Sequence, residues 1–117
     1  MGTLLTFLRF LPVLALLSSE APVELRATPK TGFAPMTIKV TTVVPRHADN
    51  RFLCLSLDGD SYSTSSCVSM EGAKAPRTTE RYYSHLPSGN YLLQAYIIRS
   101  DNRTHFATPL TLSVIGP

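Results

Sequence analysis

Residues 91–98 read YLLQAYII, the longest apolar run beyond the amino-terminal segment. Pro87, Ser88, Gly89 and Asn90 precede it, and Ser100, Asp101 and Asn102 follow it. A short apolar run closed at both ends by turn formers reads as a strand rather than a helix. Tyr91, Leu93, Ala95 and Ile97 share one face, and Leu92, Gln94, Tyr96 and Ile98 share the other. With apolar residues on both faces, this is the expected central strand.

The flanking sequence repeats the same grammar at spacings near ten residues. Upstream, Val23, Leu25 and Ala27 alternate with Glu24, Arg26 and Thr28, and a turn-rich bend from Pro29 to Pro35 follows. Met36 to Val44 alternates with β-branched residues dominant, which suits a half-buried sheet face. Arg51 to Leu57 puts Leu53, Leu55 and Leu57 on one face and Phe52, Cys54 and Ser56 on the other. The turn former Asp58-Gly59-Asp60 then returns the chain through a serine-rich stretch to Cys67, Val68, Ser69 and Met70. Thr79 to Ser84 is a short strand, and Phe106 to Ile115 is the last, with Leu110, Leu112 and Val114 inward and Pro109 marking an edge or bulge. About seven strands with no amphipathic helix predict an all-β antiparallel sandwich.

The chain has 117 residues, 44% of them hydrophobic and 16% charged, with nine prolines and no tryptophan. That hydrophobic content excludes a disordered chain, and the length allows one small domain, too little for a nucleotide-binding α/β enzyme. Residues 2–17, GTLLTFLRFLPVLALL, are almost all apolar and precede Ser18 and Ser19. They read as a signal peptide cleaved after Ser19, leaving 20–117 as one secreted domain. A retained membrane anchor is the alternative, since the run falls just short of a spanning helix. Gly2 and Thr6 also match a myristoylation pattern, which a strongly apolar segment overrides.

The two cysteines, Cys54 and Cys67, are expected to form one disulfide in an oxidising compartment. A hairpin turning near Asp60 and Ser61 brings them opposite one another.

Several of these stretches carry a family resemblance. TPKTGFAPMTIKV at 28–40, the acidic turn Asp58-Gly59-Asp60, and HLPSGNYLLQAYII at 85–98 are similar to landmarks of PKD-type immunoglobulin-like domains, a resemblance covering about 23–114. The family's tryptophan is absent, with Leu55 in its place. The resemblance implies an immunoglobulin-like, fibronectin III-like sandwich with Tyr91 as its corner tyrosine, binding nearby backbone. It further implies a secreted or cell-surface non-catalytic module for adhesion, spacing or recognition of a protein or glycan partner. The alternative is a subunit of an extracellular filament or virion, self-assembling with its amino-terminal segment retained and touching a membrane only in that case.

Little else in the sequence suggests chemistry. His47, His85 and His105 stand in separate segments without metal-ligand spacing, so no metal or cofactor is expected. Asp58, Asp60 and Ser61 resemble the start of a calcium loop, but Tyr62 and Ser69 stand where oxygen ligands belong, and a tight turn accounts for both aspartates. No G-x-S-x-G elbow accompanies the serines of 61–66. Net charge is +3 and the basic residues are dispersed, which argues against nucleic-acid binding. Asn102-Arg103-Thr104 is a glycosylation acceptor on an expected hairpin tip. Arg81, Tyr82 and Tyr83 offer a contact surface, unless one tyrosine packs inward and the other covers an edge.

Overall fold

The structure, a computed structural model, describes residues 22–117. The apolar segment read as a signal peptide at 1–19 lies outside them. Nine strands follow in chain order: β1 Glu24–Thr28, β2 Thr31–Phe33, β3 Met36–Val43, β4 Asn50–Gly59, β5 Ser63–Ser69, β6 Thr78–Leu86, β7 Gly89–Arg99, β8 Thr104–Phe106 and β9 Leu110–Ile115. No α-helix occurs among the described residues, only a single 3-10 turn at Gly72–Lys74.

The strands form two sheets, one ordered β1-β3-β6 and a six-stranded one ordered β2-β9-β7-β4-β5, with β8 pairing β7. The expected all-β class therefore holds at the level of two sheets, with corrections to the count and pairing. The bend from Pro29 to Pro35 contains β2, which pairs in parallel with β9, Thr31 beside Ser113 and Phe33 beside Ile115. The last expected strand is divided. Thr104–Phe106 pairs with one end of β7 and Leu110–Ile115 with the other, and Pro109, which has no N–H to donate, lies between them.

Leu25, Ile38 and Val40 from the smaller sheet and Leu53, Leu57, Leu93, Ile97 and Leu112 from the larger one belong to a single buried cluster. Alternation explains this. In β7, Tyr91, Leu93, Ala95 and Ile97 are all buried while the residues between them are exposed or half-buried. One polar pair joins this interior: Arg99 Nε donates to Asn50 Oδ1 at 3.1 Å, and Asn50 Nδ2 donates to the Pro45 carbonyl at 3.1 Å.

The Tyr91 ring is buried and its hydroxyl donates to the Pro87 carbonyl at 2.6 Å. Gly59 lies against that ring so closely that an added Cβ would stand 2.5 Å from Tyr91 Cε2, which leaves no room for any other residue there. Tyr83 is equally buried, but its hydroxyl has no hydrogen-bond partner. The guanidinium of Arg81 sits 5.4 Å from the Tyr83 ring centre. Burial raises both phenols above the usual 10.0; Arg81 opposes the rise at Tyr83, whereas Tyr62 and Asp60 add to it at Tyr91.

The two tyrosines should respond oppositely to loss of the hydroxyl. Tyr91→Phe removes a satisfied buried bond and is expected to cost about 1 kcal/mol, whereas Tyr83→Phe removes an unsatisfied one and is expected to be neutral or stabilising. A raised folded pKa means that the stability from neutral phenols is complete below pH 10.0 and is lost as pH climbs through the raised values. Urea unfolding at neutral pH, followed by phenolate absorbance during alkaline titration, checks both statements. Tyr83→Phe should also unfold at higher pH than the parent.

Candidate functional site

Because β7 turns Tyr91 and Leu93 inward, it must turn Asn90 and Leu92 outward. Strand register then decides what surrounds them. Asp58 of β4 and Thr111 of β9 flank Leu92 in one row. Ser113 of β9 lies beside Asn90 in the next row, with Thr31 of β2 beyond it. Lys30, immediately before β2, accepts a backbone hydrogen bond from Ser113 N at 2.9 Å and so holds its place beside β9. Together these residues line an open groove of about 590 Å³ on the outer face of the larger sheet.

The groove joins the polar groups of Lys30, Thr31, Asp58, Asn90, Thr111 and Ser113 to apolar surface at Tyr91, Leu92 and Leu112, with Leu92 38% exposed. Ser113 Oγ donates to Asn90 Oδ1 at 3.4 Å, leaving the amide N–H groups of Asn90 to solvent or a ligand. The ion pairs among the described residues are Arg26–Glu24, Lys39–Glu80 and Arg103–Asp101, so neither Asp58 nor Lys30 is neutralised by a neighbour. The groove thus presents an unpaired carboxylate, an unpaired ammonium and neutral hydrogen-bonding groups.

Further along the same face, Tyr96 of β7 and Phe106 of β8 stack with ring centres 5.0 Å apart. Phe52 lies across from Ile98, and Cys54 lies across from Tyr96 on one side and Cys67 on the other. Cys54 and Cys67 are joined by a disulfide, as expected from their positions on the hairpin. Cys54 is buried, whereas Cys67 on the edge strand is exposed.

The structure does not gather Arg81, Tyr82 and Tyr83 into one surface. They alternate along β6, with Tyr82 61% exposed outward and Tyr83 buried. Arg81 donates to Ser66 Oγ at 2.6 Å, linking the edges of the two sheets. Asn102 is exposed in the turn before β8 with φ 66, a left-handed position that asparagine tolerates. Asp58 is not a turn residue but lies inside β4, the reversal falling later, where Gly59 N donates to Tyr62 O at 2.9 Å. Sequence reading missed the groove. Alternation in β7 and β9 could have placed Asn90, Leu92, Thr111 and Ser113 on one face, but nothing in the bend at 29–35 marked Thr31 as a parallel strand.

No family model matches the chain, and no curated protein matches it. Solved structures do. A superoxide reductase (neelaredoxin) from Ignicoccus hospitalis is 15% identical with a TM-score of 0.64, covering 81% of this chain and 81% of that one. A variant of the same protein gives a TM-score of 0.62 over 81% of this chain and 83% of its own, also at 15% identity. A myokine is 9% identical with a TM-score of 0.51, covering 81% of this chain and 97% of that chain. At these identities the likeness shows a shared fold.

That finding corrects the PKD-type reading. The residues that suggested it are turn chemistry, namely proline and glycine in a bend, an acidic turn and Gly89 two residues before Tyr91. Any meander of antiparallel strands selects such residues. The function that rested on it falls too: neither a non-catalytic adhesion, spacing or recognition module nor a filament or virion subunit follows, since the solved structures sharing the fold include enzymes named for a redox reaction.

The described residues do not reproduce a redox centre. One-electron chemistry on superoxide needs a metal or cofactor, and imidazole and thiolate are the side chains that best hold iron or copper. Both cysteines of the chain are consumed by the disulfide, and no three of histidine, cysteine, aspartate and glutamate gather among the described residues. His47 Nδ1 instead accepts from Asp49 N at 3.0 Å within its own loop.

The disulfide closes a loop with a sequence separation of 13, for which chain entropy gives roughly 3 kcal/mol of stabilisation. A Cys54→Ala, Cys67→Ala double variant should lose about that much unfolding free energy in urea and still fold, because the β4–β5 register does not depend on the sulfurs.

Proposed function

We propose that this chain is an exported, disulfide-stapled domain that captures a small polar ligand in the groove on the outer face of its larger sheet. The observation that carries this reading is the groove itself. At about 590 Å³ it has the volume of a small-ligand site, and all of its hydrogen-bonding groups but Lys30 stand on paired strands. Its charged side chains are Asp58 and Lys30.

Thr111 is exposed in the groove and contributes nothing to the core. Thr111→Trp should therefore fill the groove without lowering the melting temperature. With a panel of small polar compounds, amide chemical-shift changes should concentrate at 90–92 and 111–113 and vanish in the Trp variant. Shifts centred elsewhere, or binding undisturbed by the substitution, would sink the reading.

Export is the second part of the proposal. The apolar segment at 1–19 supplies the address, and a disulfide suits an oxidising compartment. The intact mass of the protein from its own host should begin at Glu20, with both sulfurs blocked to alkylation until reduction. In a host that glycosylates exported chains, Asn102 should carry the added mass. A mass that still includes residues 1–19 would refute cleavage.

A further inference from the structure

We infer that the ligand of this groove is a small zwitterion, its cationic end on Asp58 and its anionic end on Lys30. The inference rests on the groove being the working site and adds the chemistry of the occupant.

Asp58 of β4 and Lys30, just before β2, stand at opposite sides of the groove. The order β2-β9-β7-β4 separates them by three strand spacings, roughly 14 Å between backbones. They make no ion pair with one another or with any other described residue. Between them lie neutral groups: the Asn90 amide, the hydroxyls of Thr31, Thr111 and Ser113, and the exposed part of Leu92.

A ligand settling here displaces water from both charges at once. A simple anion would satisfy Lys30 and leave Asp58 without a partner. A simple cation would do the reverse. A neutral polyol could use the hydroxyls, but it would leave both charges with poorer solvation than water gave them. A molecule with an ammonium at one end, a carboxylate at the other and a short, partly apolar body answers every group the groove presents. The backbone separation of roughly 14 Å, less the lengths of the two side chains, leaves a span of the order of a free dipeptide or an ω-amino acid.

The test uses the protein expressed from its full sequence and four probes: alanylleucine, its N-acetyl form, its carboxamide, and glucose. The free dipeptide is expected to shift the amides at 90–92 and 111–113 and to bind more weakly as salt is raised. Blocking either end should weaken binding roughly tenfold, the scale of one charge-assisted hydrogen bond. Asp58→Asn should weaken the free dipeptide by a similar factor yet leave the N-acetyl form unaffected, because that form has no ammonium to lose. Lys30→Gln should bear the same relation to the carboxamide. Both substitutions are on exposed side chains, so the fold is not at stake. If glucose or a singly charged probe shifts the same amides as strongly as the dipeptide, the groove is a site but its ligand is not a zwitterion. If none of the four moves those amides, the groove reading falls with the inference.

Discussion

The pairing of β4 with β7 is the constraint from which the rest of the structure follows. Leu53, Leu55 and Leu57 lie opposite Ile97, Ala95 and Leu93, and all six are buried. Since side chains alternate with a period of two, a slip of one residue would bring Phe52, Cys54, Ser56 and Asp58 to the core and put the leucines in water. Burial of one such side chain is worth about 1.5–3 kcal/mol, so the slipped register cannot compete. The turn chemistry agrees with that register instead of having to impose it.

Once β4 and β7 are locked, the outer face has no freedom left. Cys54 must face outward beside Tyr96, and β5, folding back antiparallel, must bring Cys67 to it. The disulfide therefore secures a pairing that the core has already chosen. The same logic places Asp58 and Leu92 in one outward row and leaves Asn90 a row below. At that end, Gly59 admits the Tyr91 ring, and the Tyr91 hydroxyl ties β7 back to Pro87. The sheet beneath the groove is thus held from the inside by a side chain whose backbone lies at the groove floor.

The strands were legible where alternation was long and one-sided. β3, β7, the Arg51–Leu57 part of β4 and the inward set of β9 could be read residue by residue, and the Cys54–Cys67 contact followed from the position of the turn. What could not be read is what alternation does not encode. Three-residue strands such as β2 and β8 carry no period, and β2 is flanked by Pro29 and Pro35, which in sequence signal a bend. Its parallel pairing with β9 is a long-range choice made by the backbone. The groove depends on that choice, because Lys30 and Thr31 arrive only with β2. The resemblance to a known domain misled for a related reason: short turn motifs record local geometry, and many arrangements of strands share it.

Likeness to a superoxide reductase raises the question of what a shared backbone can carry. It carries strand order and register, which set where side chains are offered; it does not carry the donors themselves. In this chain the sulfurs are bonded to each other on the outer face, and the histidines are spread over the loop before β4, the strand β6 of the smaller sheet, and β8 of the larger. The described residues bring no three of histidine, cysteine, aspartate and glutamate together. The groups that line one groove are the Asp58 carboxylate, the Asn90 amide and three hydroxyls on paired strands, with the Lys30 ammonium beside β2. Such groups hold charge and hydrogen bonds in place, which is what the proposed capture of a small polar ligand requires.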